Sequence, residues 1–264
     1  MITSYSNKSV KEVIQLSQKA KVRREQDLFV VEGVKMYREA PTERIRSVYV
    51  AKRAEQELQQ KCGDKLAETG YEVVTDEVFQ KMSDTKTPQG ILCLVKQYHY
   101  NIEEILSRRK EPLLLLLEDI QDPGNLGTIF RTGEGAGIDG ILMSRETVDI
   151  YNPKTIRSTM GSIYRVPFLY TDNIRENVQK LQKREITVYA AHLAGERYYD
   201  QYDLTKGCAF LIGNEGNGLR RETAESADTY LKIPMEGQLE SLNAAVASSL
   251  LLYEAYRQRR SVRQ

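Results

Sequence analysis

The 264-residue chain has few of the side chains on which metal and triad chemistry depend. Its two histidines, His99 and His192, leave little for a zinc site or a histidine-centred triad, so we expect no bound metal. Its three cysteines, Cys62, Cys93 and Cys208, are far apart and odd in number. We interpret them as reduced thiols of a cytoplasmic protein.

Long apolar runs are missing as well. No run approaches the roughly 20 residues that a membrane helix needs. The N-terminal residues 1–13 lack the apolar region of a secretory signal, and we expect no membrane partner. The composition, 41% hydrophobic and 28% charged, is typical of a globular protein with enough apolar residues for two modest cores.

Neither sign of charge is in excess, because the net charge is +1. The overall charge therefore does not indicate nucleic-acid binding. Two local basic clusters leave two interpretations open, a solvated helix surface or a surface that contacts phosphates. The clusters are Lys19, Lys21, Arg23 and Arg24 near the start, and Arg257, Arg259, Arg260 and Arg263 near the end.

Two domains are predicted from the order of strand-like and helical segments. Residues 28–95 alternate between the two, which predicts a small α/β domain over residues 1–97. Residues 98–110 lack a core-forming strand pattern and are interpreted as a linker with room for one helical turn. The pattern restarts with PLLLLLEDI (112–120), which is too continuously apolar for an edge strand and is typical of the centre of a parallel sheet. Residues 111–264 are therefore predicted to form an α/β domain with a mostly parallel sheet.

Glycine-rich sequences follow three of the predicted strands. Ligands of parallel α/β sheets bind at the carboxyl ends of strands, so these loops are candidate binding loops. A dinucleotide fingerprint is disfavoured because its glycines must follow the strand at once, whereas Gly133, Gly135 and Gly137 come more than a dozen residues later. No GK[ST] follows, which excludes a P-loop. The three sequences are DPGNLGTIFRTGEGAG (122–137), LIGNEGNGL (211–219) and IPMEGQLESLNAAVA (233–247).

The first of these loops predicts a turn followed by a helix. Residues 122–125 read DPGN, a strong turn sequence, with Asn125 as a good helix cap. The later glycines are expected to permit close helix packing and the helix exit. Arg131 lies off the apolar face and near the strand ends, and turn chemistry does not explain it. The apolar face consists of Leu126, Ile129, Phe130 and Gly133.

The third loop leads into a helix predicted over residues 241–256. Many small residues in its first turns indicate close packing against another backbone, which could belong to a loop, a second helix or a second subunit. Ser241 is a candidate N-cap. Asn243 is polar at the start of a closely packed helix, so its amide is expected to have a specific partner. The predicted packing face is Leu242, Val246, Ser249, Leu250 and Tyr253.

Together the three motifs resemble those of the SpoU (TrmH) family of RNA ribose 2′-O-methyltransferases, in the knotted SPOUT superfamily. The resemblance covers residues from about 20 to 258, nearly the whole chain, and three ordered motifs are more specific than one. KVRREQDLFVVEG (21–33) and SDTKTPQGILCLV (83–95) are similar to the ribosomal-protein-L30e-like substrate-binding domain that often precedes such catalytic domains. NPKTIRSTMGSIYRVP (152–167) also fits the family.

The resemblance implies a C-terminal α/β domain with a deep trefoil knot, preceded by a small L30e-like α/β domain. It implies S-adenosylmethionine as methyl donor, no metal and a homodimer. The substrate it implies is RNA, most readily 23S ribosomal RNA, because of the N-terminal domain. A tRNA ribose methyltransferase, or a non-catalytic RNA-binding or ribosome-assembly protein with this fold, is the alternative.

The resemblance also implies a set of site residues. Arg131 is expected to face the ribose hydroxyl, either as a base or as an electrostatic stabiliser of the developing alkoxide; the second role is physically safer for a side chain that stays charged. The polar catalytic set is Asn125, Arg131, Glu215, Ser241 and Asn243. The cofactor-binding set is Gly213, Glu215, Gly216, Ile233, Met235, Leu242 and Asn243.

Overall fold

A computed structural model describes residues 1–238 and 241–262 of the chain. Leu239 and Glu240 of the third motif, and Arg263 of the C-terminal basic cluster, lie outside the described residues. The chain divides into two compact units, each formed by two separate segments. We call them the N-terminal unit (Met1–Tyr98 and Asp149–Tyr164) and the C-terminal unit (His99–Val148 and Arg165–Gln264).

Strands and helices alternate along most of the described chain. The strands are β1 (Leu28–Glu32), β2 (Ile45–Ala51), β3 (Glu72–Val74), β4 (Ile91–Lys96), β5 (Leu113–Leu117), β6 (Gly140–Ser144), β7 (Phe168–Thr171), β8 (Thr187–Ala191), β9 (Arg197–Tyr198), β10 (Cys208–Ile212) and β11 (Thr229–Lys232). The α-helices are α1 (Lys8–Gln18), α2 (Ala20–Gln26), α3 (Val34–Glu39), α4 (Glu55–Thr69), α5 (Asp76–Met82), α6 (Ile102–Leu106), α7 (Pro123–Ala136), α8 (Pro153–Thr159), α9 (Ile174–Gln182), α10 (Arg221–Glu225) and α11 (Ala244–Val262). Among the described residues, none of these helices is both long and apolar enough to cross a membrane.

The N-terminal unit is built on a four-stranded sheet in the order β1-β4-β2-β3. Strands and helices alternate between residues 28 and 95, as predicted. The predicted boundary at residue 97 differs by one residue from Tyr98, where the first segment ends. Residues 149–164, which we assigned to the second domain, pack instead with this unit: Phe29 is fully buried, with its ring 4.7 Å from that of Tyr151. Such long-range packing leaves no local sequence pattern.

Two arginines of the basic clusters are buried, which neither interpretation of those clusters foresaw. Arg23 is 3% exposed, donates to the Leu16 carbonyl and forms an ion pair with Asp149 at 2.6 Å. Arg259 is 8% exposed and donates to backbone carbonyls, including that of Leu204 at 2.9 Å. A buried guanidinium must be fully paired, so these two side chains stabilise the fold and are not available for phosphates.

Residues 98–110, which we interpreted as a linker with room for one helical turn, contain the short helix α6. Asn101 and Glu104 form a reciprocal capping box that starts α6. Ile105 and Leu106 of α6 are buried in the core of the C-terminal unit, together with residues of α9. This segment is therefore an integral part of that unit.

The C-terminal unit contains a seven-stranded sheet in the order β7-β6-β5-β10-β8-β11-β9. Every pairing in this sheet is parallel, which confirms the predicted α/β class. The five leucines of β5 are all buried, and β5 pairs with β6 on one side and β10 on the other. The polyleucine segment is thus an interior strand, as its continuous apolarity predicted.

Helix α7 begins one residue after Asp122, not at a cap formed by Asn125. The Asp122 carboxylate accepts a hydrogen bond from the Asn125 backbone N–H at 2.8 Å, and Pro123 occupies the first helical position. Asn125 therefore lies in the first turn, and its side chain is left for other contacts. Gly137, with a φ of 73°, ends the helix, as the predicted exit requires.

Helix α11 packs against α7 partly through the predicted face, since the Ser249 hydroxyl lies 3.4 Å from that of Thr132, but its most buried residues lie outside that face. Its buried residues include Ala245, Ser248 and Leu252. Val246 and Tyr253 of the predicted face are 48% and 47% exposed. Both sides of this helix carry apolar or small residues, so periodicity alone did not identify the buried one.

Candidate active site

Three loops of the C-terminal unit border one cavity of about 380 Å³. They follow β10, β11 and β8, and because the strands are parallel these loops meet at the same edge of the sheet. The predicted cofactor residues that line the cavity are Gly213, Glu215, Gly216, Ile233, Met235 and Leu242. A mostly apolar cavity of this size with a few polar groups suits a small organic ligand.

The loop after β10 folds back on itself as a tight turn. Asn214 and Gly218 exchange two backbone hydrogen bonds, of 3.1 and 2.9 Å, and Gly218 has a φ of 69°. A Cβ atom at Gly213 would lie 2.2 Å from the Gly218 carbonyl carbon. Only glycine fits at position 213, because the two ends of the turn meet there.

Three of the five predicted catalytic residues are joined by hydrogen bonds. The Asn125 amide donates to the Glu215 carboxylate at 2.5 Å. The Asn243 amide donates to the Asn125 side-chain oxygen at 3.0 Å, which confirms that it has a specific partner. Asn243 also accepts from the backbone N–H of Ala245 at 2.9 Å and so caps α11. One polar chain thus connects the loops after β5, β10 and β11.

Ser241 and Arg131 are not part of that chain. Ser241 is exposed and lines the cavity, and the prediction that it caps α11 was wrong because Asn243 has that role. Arg131 is exposed on α7 and its side chain forms no hydrogen bond or ion pair with the described residues. It is six positions beyond Asn125, or about 9 Å along the helix axis. Its charge is therefore available to a ligand.

Helix α7 buries its apolar residues, and Asn125 in its first turn reaches the site. Leu126, Ile129 and Phe130 are fully buried, as the predicted face requires. A Cβ atom at Gly133 would lie 3.0 Å from Ile138, and one at Gly135 would lie 3.0 Å from the Tyr253 hydroxyl. These glycines permit the close helix packing that we predicted.

Sequence reasoning missed His192 and Leu193, which also line the cavity. They come directly after β8. The His192 Nδ1 atom accepts a hydrogen bond from the Ala194 backbone N–H at 3.1 Å, and its ring lies 4.8 Å from that of Tyr230. Their position at the carboxyl end of a parallel strand was the available signal.

Metal binding has no evident site among residues 1–238 and 241–262. No group of three or more His, Cys, Asp or Glu side chains in these ranges is arranged to hold an ion.

Comparison with protein families gives two matches along the chain. Residues 112–253 match the model of the SpoU rRNA Methylase family. Residues 7–93 match the model of the MRM3-like substrate binding domain.

Two curated relatives and one solved structure are similar over most of the chain. The 23S rRNA (guanosine(2553)-2'-O)-methyltransferase RlmP of Bacillus subtilis is 33% identical, over 96% of this chain and 97% of its own length. The 23S rRNA (guanosine-2'-O-)-methyltransferase RlmB of Vibrio parahaemolyticus is 32% identical, over 88% of this chain and 96% of its own. A crystal structure of an AdoMet-bound rRNA methyltransferase from Sinorhizobium meliloti has a TM-score of 0.83 and 31% identity, covering 97% of each chain.

Proposed function

The chain belongs to the SpoU rRNA Methylase family. From that premise we propose that it transfers a methyl group from S-adenosylmethionine to the 2′-hydroxyl of a guanosine ribose in 23S ribosomal RNA. The observation that carries this proposal is the hydrogen-bonded chain of Asn243, Asn125 and Glu215 beside the cavity. Both curated relatives are named as 23S rRNA guanosine 2′-O-methyltransferases, which favours this substrate over tRNA.

The cavity has the features that a bound S-adenosylmethionine requires. Its apolar walls include Ile233, Met235 and Leu242, and the turn at 213–218 borders it with exposed backbone. We assign Gly213 and Gly216 to backbone contacts with the cofactor, and Glu215 and Asn243 to its polar border. When bound, the cofactor supplies an electrophilic methyl group on a positively charged sulfur.

The polar residues would prepare the ribose hydroxyl for attack. Asn125 is held from both ends, by Glu215 and by Asn243, so its orientation is set before substrate binds. The guanidinium of Arg131 would stabilise the developing alkoxide as a cation. Ser241, at the rim of the cavity, would position the substrate or the loop.

The N-terminal unit is assigned to RNA binding. Its match to a substrate binding domain over residues 7–93 supports an L30e-like domain that holds the RNA, while the domain from residue 111 onward performs catalysis. Exposed cations such as Lys19, Lys21 and Arg24 remain available to phosphates after the burial of Arg23. Because ribosomal RNA is the substrate, we place the enzyme in the cytoplasm.

We further propose a homodimer and a trefoil knot. The exposed apolar side of α11, with Val246, Tyr253 and Tyr256, is a surface that a second copy of the chain would cover. The proposed knot rests on the resemblance of the second and third motifs to those of the knotted SPOUT superfamily.

The test is methyl transfer from labelled S-adenosylmethionine to separate pools of undermodified 23S ribosomal RNA and tRNA. We expect label at one alkali-resistant ribose position of the ribosomal RNA. Label in tRNA alone would retain the chemistry and overturn the substrate. If neither pool nor assembled ribosomal particles were labelled, the non-catalytic RNA-binding alternative would replace the proposal.

A further inference from the structure

The turn at 213–218, which we call the cofactor turn, is held in place by a side chain outside the predicted catalytic and cofactor sets. Asn214 is half-buried and forms three hydrogen bonds through one amide group. Its oxygen accepts from the backbone N–H groups of Gly216 at 2.8 Å and Asn217 at 3.2 Å. Its nitrogen donates to the backbone carbonyl of Asp119 at 2.8 Å. The oxygen shapes the turn, and the nitrogen attaches the turn to the loop after β5.

Asp119 presents that carbonyl because its own backbone is in an uncommon conformation. Its φ is 59°, in the left-handed region that few residues other than glycine adopt. Its side chain holds it there: the carboxylate accepts from the Ser144 hydroxyl at 2.8 Å and from the Arg220 guanidinium at 2.5 Å. The strained conformation is therefore imposed by surrounding contacts, as is common at functional sites.

The chain that follows the cofactor turn is also attached to the carboxyl end of β5. Glu118, which is 3% exposed, accepts from the Arg220 backbone N–H at 2.7 Å and from the Thr223 hydroxyl at 2.6 Å. Its own N–H donates to the Ile212 carbonyl at 2.9 Å. Glu118 thus bonds to the chain before the turn and to the chain after it.

The result is that Glu215 projects from a turn with a set position relative to Asn125. We propose that Asn214 is a positioning residue for methyl transfer: its oxygen shapes the cofactor turn, and its nitrogen holds the turn so that Glu215 reaches Asn125. This inference rests on the proposed function. Misplacement of a catalytic group by about 1 Å can lower a rate about a hundredfold, so a single hydrogen bond of this kind matters for turnover.

Substitutions can separate the two roles. Asn214→Asp keeps the oxygen that accepts from the turn but places a carboxylate oxygen against the Asp119 carbonyl, where no donor remains. Asn214→Ser keeps a shorter acceptor for the turn and cannot reach Asp119. Asn214→Ala removes both roles. Asn173→Ala is the matched control, since Asn173 also accepts a helix-turn N–H through its side chain, at 3.3 Å, in the same unit but at α9.

The experiment measures kcat with ribosomal RNA, the dissociation constant of S-adenosylmethionine by calorimetry, and the thermal unfolding midpoint for all variants. We expect Asn214→Asp and Asn214→Ser to lower kcat about tenfold or more, with cofactor affinity within about twofold of wild type. We expect Asn214→Ala to lower kcat and also to weaken cofactor binding about tenfold. Asn173→Ala should leave kcat and cofactor affinity unchanged, even if it lowers the unfolding midpoint as much as the Asn214 substitutions do.

Two results would overturn the inference. One is wild-type kcat in both Asn214→Asp and Asn214→Ser. The other is an Asn214→Ala variant whose cofactor affinity and kcat change no more than those of Asn173→Ala. If the wild-type protein itself transferred no methyl group, the proposed function would fail instead, and cofactor affinity in Asn214→Ala against Asn173→Ala would still decide whether Asn214 shapes the turn.

Discussion

The side-chain amide of Asn125 lies 2.5 Å from the carboxylate of Glu215, although 90 positions separate the two residues in the chain. The first belongs to the helix after β5 and the second to the turn after β10. Their hydrogen bond has a charged acceptor, which makes it stronger than one between neutral groups. The site is therefore assembled by the sheet, and its parts can be tested one at a time.

Removing the Glu215 carboxylate, which accepts the hydrogen bond, should misalign Asn125. We expect Glu215→Ala to lower kcat about a hundredfold, since Asn125 then keeps only its bond to Asn243. Glu215→Gln retains an oxygen that can accept the bond, so its loss of kcat should be about tenfold smaller than that of Glu215→Ala. Single-turnover kinetics with saturating cofactor would measure both variants. Equal losses in the two would show that the hydrogen bond to Asn125 is not what Glu215 contributes.

Arg131 should matter for chemistry and not for cofactor binding. We expect Arg131→Ala to lower kcat about a thousandfold, because the charge that stabilises the alkoxide is lost. Its dissociation constant for S-adenosylmethionine should stay within about twofold of wild type, since the side chain does not line the cavity. Arg131→Lys restores a cation and should recover part of the rate. Normal turnover of the alanine variant would disprove the assigned role.

Gly213 should tolerate no side chain. An added Cβ would lie 2.2 Å from backbone atoms of Gly218 and Leu219, which cannot move without opening the turn. We expect Gly213→Ala to lower the free energy of unfolding by about 3 kcal/mol and to abolish cofactor binding. Gly216→Ala is the control for stability, because its Cβ would meet only the Asn214 side chain, at 3.4 Å. Matching denaturation curves for the two variants would contradict this prediction.

The three thiols should be inert in the folded protein. Burial raises the pKa of Cys93 to about 12 and that of Cys208 to about 11, and it raises the pKa of Cys62 as well. Alkylation requires the thiolate, and a raised pKa lowers the thiolate fraction at any pH below it. We expect no carboxymethylation by iodoacetate at pH 8 in native protein and three modifications after denaturation, counted by mass spectrometry. Rapid labelling of the native protein would refute the burial of these thiols.

A charge on the exposed side of α11 should separate the proposed dimer. Val246→Glu would place a carboxylate within the covered apolar surface, so light scattering after gel filtration should report half the wild-type mass. Val262→Glu is the matched control, since Val262 is 72% exposed near the end of the same helix. A wild-type protein that is already monomeric, or a Val246→Glu protein that remains dimeric, would exclude this interface.

Much of the fold follows from local patterns, because strands and their flanking glycines leave clear sequence signals. The interior position of β5 was predictable in this way. The polarity of Asn243 predicted that its amide has a specific partner, but not that the partner is Asn125. The cap of α7 was predicted wrongly, because Asp122 and Asn125 are both good capping residues. The fixed φ of Pro123, which suits the first helical position, favours Asp122. His192 belongs to none of the three motifs, and only its position at the carboxyl end of a parallel strand indicated that it lines the cavity.

The packing of residues 149–164 against the N-terminal unit has a consequence for biosynthesis. Phe29 and Arg23 acquire their partners Tyr151 and Asp149 only after more than a hundred further residues have been translated. The N-terminal unit therefore completes its core on the ribosome after β5 and β6 have been made. A chain released at residue 97 would expose the apolar face of Phe29 and leave the Arg23 guanidinium without its carboxylate.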